Sequence, residues 1–177
     1  MKRRGLLLTM TEPPPQMEEE FNAWYDGEHL PERLSIPGFR SARRWVADVK
    51  PGEGKYLATY ELDSAEVLQS REYLSFFEKP TPWTKRCLER CVVFKRWACA
   101  QQEPGDADPH PEAKAVLLVA GETKDMRVAL ADPLLLRRFV AREGSPSHIA
   151  LYDLREPQQA IAKPGKDGLV RLYKAYG

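Results

Sequence analysis

The sequence has almost no surplus charge: 27 lysines and arginines stand against 26 aspartates and glutamates over 177 residues, a formal net charge of +1. A phosphate backbone is held by a sustained field of one sign, and no basic run here exceeds a few residues, so nucleic acid is not an expected partner. Long hydrophobic runs are missing too. No stretch approaches the roughly 20 apolar residues that span a bilayer, so no membrane partner is expected. The opening MKRRGLLLTM is basic like a signal peptide, but its apolar run is short and three prolines soon follow. It reads as a first β-strand.

Cysteine is scarce. Cys87, Cys91 and Cys99 form no CxxC pair, which suits reduced thiols and a cytoplasmic location better than a disulfide framework. Cys87 and Cys91 are one helical turn apart, yet two thiols without nearby partners make a poor metal site. GxSxG, GxxxxGK[ST] and a strand-following GxGxxG are all absent, which leaves serine-hydrolase, P-loop and Rossmann readings without support. What remains is an ordinary globular composition, 42% hydrophobic, long enough for one compact domain or two small ones.

The first hundred residues read β, α, β, β, α, β. GLLLTM is a strand. A helix is expected from about Gln16 to His29, with Met17, Phe21, Trp24 and Glu28 on one face and Tyr25 and His29 on its neighbour; Pro31 should end it at Leu30. Phe39–Ala47 and Tyr56–Leu62 read as a hairpin joined through Pro51-Gly52-Glu53-Gly54. Asp63 is the expected N-cap of a second helix with Val67, Leu68, Leu74 and Phe77 on its apolar side. KPTPWT, residues 79–84, stops that helix, and Val92–Cys99 supplies a fourth strand.

Residues 101–112, QQEPGDADPHPE, hold three prolines and little to bury, and read as a linker between a first domain, 1–100, and a second, 113–177. In the second, AVLLVAG is a strand, Asp132-Pro133 caps a helix over Leu134–Glu143, and Gly144 stops it. His148–Leu154 matches Tyr56–Leu62 position by position, a degenerate internal repeat. A short segment, Glu156–Ala162, and a last strand, Leu169–Tyr176, finish a shortened copy in which no counterpart of the Phe39–Ala47 strand is evident.

His29 is the sharpest chemical candidate, because imidazole alone has an unperturbed pKa, about 6.5, suited to proton transfer near neutrality. A histidine at a helix end also interacts simply with free carbonyls. Tyr25, one turn earlier, can orient that imidazole or polarise a substrate oxygen; equally it can be an amphipathic aromatic at a helix–sheet boundary. Trp24 packs, and with Tyr60 and Trp83 can wall a substrate. The prolines bracketing Thr81 hold Trp83 at low entropic cost, either for a ligand or as a plug. Alternation places Arg40 and Arg44 on one strand face and Arg43 with Phe39 and Trp45 on the other. One arginine, such as Arg44, can clamp an anion, unless Glu61 pairs with it internally. Glu28-His29-x-x-Glu32 invites a metal, but Pro31 argues against the spacing and none is expected.

The order β-α-β-β-α-β with an antiparallel sheet is ferredoxin-like, and particular residues carry a resemblance. The run FNAWYDGEHLPERLSIPGF, followed by ARRW, KYLATYEL and PTPWT, resembles the EthD-like branch of the dimeric α+β barrel superfamily over residues 5–100. The resemblance implies an α+β fold in which two ferredoxin-like sheets pack face to face, usually from two subunits, here with the second repeat replacing or supplementing a partner. A homodimer acting on a small molecule is the corresponding expectation. The superfamily includes lyases, cyclases, isomerases and cofactor-free or haem-using oxygenases. The resulting expectation is acid/base lyase, isomerase or cyclase chemistry on an aromatic or polyketide-like oxo acid without a tightly bound organic cofactor. His29 would be the acid/base, Tyr25 its orienter or oxyanion donor, Arg44 the clamp. The alternatives are a non-catalytic ligand-binding or assembly protein, and a haem-binding member.

Overall fold

The computed structural model describes residues 2–130, 132–157, 161–163 and 168–177. Its frame is a closed eight-stranded barrel built from β1 (Gly5–Glu12), β2 (Phe39–Val46), β3 (Tyr56–Leu62), β4 (Val93–Glu103), β5 (Ala115–Gly121), β7 (Leu135–Glu143), β8 (His148–Leu154) and β10 (Leu169–Ala175), in the order β1-β3-β2-β10-β5-β8-β7-β4. Every pairing is antiparallel, and closure leaves no barrel edge unpaired. Two three-residue strands, β6 (Arg127–Ala129) and β9 (Ile161–Lys163), pair separately. The barrel belongs to a single chain.

Numbered in chain order within each half, the barrel strands of residues 5–103 and of 115–175 both run 4-1-3-2. The two similar segments, YLATYEL and HIALYDL, are the third strand of each half, β3 and β8. Strand β7 lies where a helix is expected, and it supplies the counterpart of β2 that is not evident in the sequence. LLRRFVARE can be amphipathic as a helix, but as a strand it sends Arg137 and Phe139 into the barrel, and pairing with both β4 and β8 decides the matter. Gly144, at φ +100°, serves the turn between β7 and β8, not a helix end. Among the described residues the second half carries no helix; of the expected segment 156–162, residues 158–160 lie outside the described ones.

Period-two alternation explains the core. Leu6, Leu8 and Met10 of β1 point into the barrel with Trp45, Leu57, Trp97, Phe139 and Tyr173. Leu7 points outward under the helices with Ala58, Tyr60 and Leu62. Covered on both sides, β1 is buried along its whole length. In β2 a register shift between Phe39 and Ser41 breaks the expected alternation: Phe39 packs under the helices with Ala42 and Val46, whereas Trp45 points into the barrel. Glu61 does not pair with the β2 arginines. It meets Arg137 at 2.9 Å inside the barrel, with Asp153 3.7 Å from the same guanidinium.

Residues 104–110 are fixed to the barrel. The buried Gln101 side chain accepts from the backbone N–H of Gly105 and Ala107, at 3.0 and 2.9 Å, and the Asp153 carboxylate accepts from that of His110 at 2.7 Å. The second expected helix divides in two: a 3-10 segment over Ala65–Gln69, then α3 (Arg71–Glu78), whose N-cap is Ser70 accepting from the Tyr73 N–H. Ser70, three residues before the buried Tyr73, takes the capping role expected of Asp63. Leu74 and Phe77 of α3 are exposed while Tyr73 is buried. Helix α4 (Pro82–Glu89) starts at Thr81, whose hydroxyl accepts from the Thr84 N–H. No helix among the described residues is long and apolar enough to cross a membrane.

Candidate functional site

The first helix is interrupted at the residues of interest. After a 3-10 turn over Pro15–Met17 and α1 (Glu18–Trp24), Tyr25–His29 form a π-helical turn, and α2 (Leu30–Leu34) follows directly. The Leu30 N–H reaches back to the Tyr25 carbonyl, five residues away. This wider turn also explains why Pro31 does not end the helix: proline is tolerated at the start of a helical segment, where a missing N–H costs little. The turn presents both Tyr25 and His29 to the sheet, with ring centroids 4.9 Å apart.

The turn is tied down from the other side. Trp24 Nε1 donates to Thr84 Oγ1 at 3.1 Å, and the hydroxyls of Thr81 and Thr84 both donate to Glu28 Oε1. The threonines of the PTPWT stretch are therefore what ties α4 to the π turn. Asp26, on the outer side, pairs with Arg44 at 2.8 Å.

Between this turn, α3 and strands β1, β3 and β4 lies a cavity of about 50 Å³, lined among others by Thr9, Tyr25, His29, Arg33, Tyr60 and Arg96. Three hydroxyls form a chain within it: Tyr25 Oη lies 3.2 Å from Thr9 Oγ1 and 2.9 Å from Tyr60 Oη. His29 is 7% exposed, and its Nδ1 is buried without a hydrogen-bond partner. Burial first, then the positive charges of Arg33 and Arg44, push its pKa down to about 3, so the imidazole is neutral at physiological pH. Burial likewise raises the Tyr25 and Tyr60 phenols, so both keep their protons. The site thus offers a neutral ring nitrogen, made weakly basic by burial and the two arginines, and phenolic hydroxyls that can donate to an oxygen.

The cavity's rim is apolar. Phe77 and Phe94 line it and are 54% and 50% exposed. An apolar cavity that holds benzene measures about 150 Å³, so an aromatic ring enters here only when this rim opens.

The structure brings His29, Tyr25 and Tyr60 together around the cavity, with Trp24 behind His29 at 4.6 Å between ring centroids. Arg44 and Trp83 are elsewhere. Arg44 is engaged by Asp26 and Asn22, stacks against the opposite side of the site on Tyr25 and Tyr176, and lines a separate surface cleft. Trp83 is half-buried against the helix-side core, its Nε1 without a partner. The residue that sequence reasoning misses is Arg33, 6% exposed on α2 and lining the cavity. Its only signal in the sequence is its place four residues after His29, discounted by the intervening proline. Among the described residues no group of three or more His, Cys, Asp or Glu side chains is placed to hold a metal.

No protein-family model matches the sequence, and no curated protein matches it. Solved structures do. An anthrone oxidase-like protein superposes with a TM-score of 0.62 at 11% identity, over 100% of this chain and 92% of that one. A chlorite dismutase-like protein gives 0.53 at 7% identity, over 100% and 96%. Both neighbours are members of the dimeric α+β barrel superfamily. The chain has the dimeric α+β barrel fold. At such identities the likeness establishes architecture and leaves the chemistry to the site itself.

Proposed function

We propose that this protein is a small-molecule enzyme of the EthD-like branch in which neutral His29 removes a proton from an aromatic or polyketide-like oxo acid. The observation that carries the reading is the buried, unpartnered Nδ1 of a neutral imidazole beside the Thr9–Tyr25–Tyr60 hydroxyl chain. In the tautomer with its proton on Nε2, Nδ1 takes the proton from carbon next to a carbonyl. The bonding pair becomes an enolate, and the oxygen accepts a hydrogen bond from Tyr60 or Tyr25. Return of the proton elsewhere gives an isomerase; expulsion of a leaving group or ring closure gives a lyase or cyclase. Arg44, engaged by Asp26 and Asn22, stacks on Tyr25 and helps hold it in place.

The name of one structural neighbour favours a second reading with the same first step. An anthrone is a polycyclic aromatic ketone with an acidic ring carbon, and its carbanion can react with dioxygen without a cofactor. The cavity of about 50 Å³ beside His29 is far too small for a haem with its rim as it stands.

The test is deuterium exchange at the carbon next to the carbonyl in a panel of aromatic oxo acids, hydroxy-ketones and anthrones, followed by NMR. Wild type should exchange one member of the panel, and His29→Gln should lose exchange while keeping its fold. Tyr60→Phe should slow it by about a hundredfold. Equal exchange by wild type and His29→Gln would refute the base.

A further inference from the structure

Among the described residues, Arg33 is a buried cation that no carboxylate contacts. Its Nη1 is buried without a hydrogen-bond partner, and no ion pair among the described residues includes it. The other deeply buried arginines are treated differently: Arg44 has Asp26 at 2.8 Å, and Arg137 has Glu61 and Asp153. Arg96, which also lines the cavity, has Glu143 at 2.6 Å and the Tyr73 hydroxyl at 3.1 Å. Arg33 has only ring faces, with its Cζ 5.6, 5.3 and 5.5 Å from the centroids of Tyr73, Phe76 and Phe77. Aromatic faces attract a cation but supply no countercharge, and an uncompensated buried charge is costly.

We propose that Arg33 is the anion receptor of the cavity, and that its ligand is a monocarboxylate with an apolar body. The carboxylate satisfies the free guanidinium edge; the body leaves past Phe77 and Phe94, the exposed apolar pair at the rim. A single unmatched cation selects a single negative charge, because a dianion would restore an uncompensated charge of the opposite sign. Bound anion also offsets the charge that opposes protonation of His29, so a carboxylate ligand makes His29 a stronger base once seated. The inference rests on this cavity being the ligand site named above, but not on His29 acting as a base.

The test pairs each carboxylate with its neutral amide at constant ionic strength: formate with formamide, which need no opening of the rim, and 1-naphthoate with 1-naphthamide, which do. Binding is read by thermal shift and by the NMR titration of His29 in wild type, Arg33→Lys and Arg33→Met. Wild type should prefer a carboxylate over its amide by about 10- to 100-fold, with the His29 pKa rising on binding. Arg33→Lys should keep a reduced preference. Arg33→Met should lose it without losing stability, since it removes an unpaired buried charge. If neither carboxylate outperforms its amide in wild type, or if Arg33→Met retains the preference, the proposal is overturned. Carboxylate preference that persists in His29→Gln, with proton exchange lost or absent throughout, separates this inference from the catalytic reading.

Discussion

Acid should unfold this protein partly through one histidine. In the folded chain His29 holds its pKa down at about 3, against an ordinary value of 6.5. The unfolded chain therefore takes up a proton at His29 first, and the stability due to the neutral, buried ring is fully present above about pH 6.5 and disappears as the pH falls toward 3. Each pH unit inside that window costs about 1.4 kcal/mol, which between pH 7 and pH 4.5 amounts to roughly 2.5 kcal/mol. The assay is urea denaturation of wild type and His29→Gln at several pH values across this range. Other groups with lowered carboxyl pKa, Glu18 and Glu66, also lose stability in acid, but they are common to both proteins and cancel in the difference. Wild type should lose about 2.5 kcal/mol more than the variant. Two proteins whose stabilities run parallel from pH 7 to pH 4.5 would refute the depressed pKa and show that burial does not hold the ring neutral in acid.

Two further outcomes are expected. Arg137→Met leaves Glu61 and Asp153 facing each other inside the barrel without their cation, and should cost about 3–5 kcal/mol in urea denaturation; a change below about 1 kcal/mol would mean that the cluster is solvated. Burial pushes the Cys87 and Cys91 thiols up to about 11 and Cys99 to about 12, so none should react with a thiol-disulfide reagent at neutral pH until urea unfolds the chain; fast labelling of the native protein would contradict the packing around them.

Much of the first half is legible in the sequence because it follows a period of two. GLLLTM, the Tyr56–Leu62 strand with its outward Tyr56, Ala58, Tyr60 and Leu62, and the likeness of Tyr56–Leu62 to His148–Leu154 all survive into the fold, the last as equivalent positions in the barrel. Leu135–Glu143 is not legible, since its apolar and charged residues fit either period and only the demand for a partner beside both β4 and β8 selects the strand. The proximity of Tyr25 and His29 follows from their spacing. Arg33 is invisible for a related reason: Pro31 reads as a helix end, and only the π turn before it carries the chain on so that Arg33 falls on the cavity side. In the sequence Arg44 reads as an anion clamp or a partner for Glu61, because the carboxylate that claims it, Asp26, belongs to the same dense motif and passes for a solvated helix charge.

The second half contributes to the site without holding any of its chemistry. Strands β5, β7, β8 and β10 close the barrel within one chain, and their outer face is covered by Met126 with Val128 and Leu130. Strand β7 pairs with β4 and ends at Glu143, which sets a carboxylate against Arg96 on the cavity wall. Arg96 is thereby neutralised by the second half, while Arg33, on the helix side and out of reach of any strand carboxylate, keeps its charge. Barrel closure thus decides how many free cations the cavity presents. With Glu143 against Arg96, the cation lining the cavity that is left without a carboxylate among the described residues is Arg33, matched to a monocarboxylate.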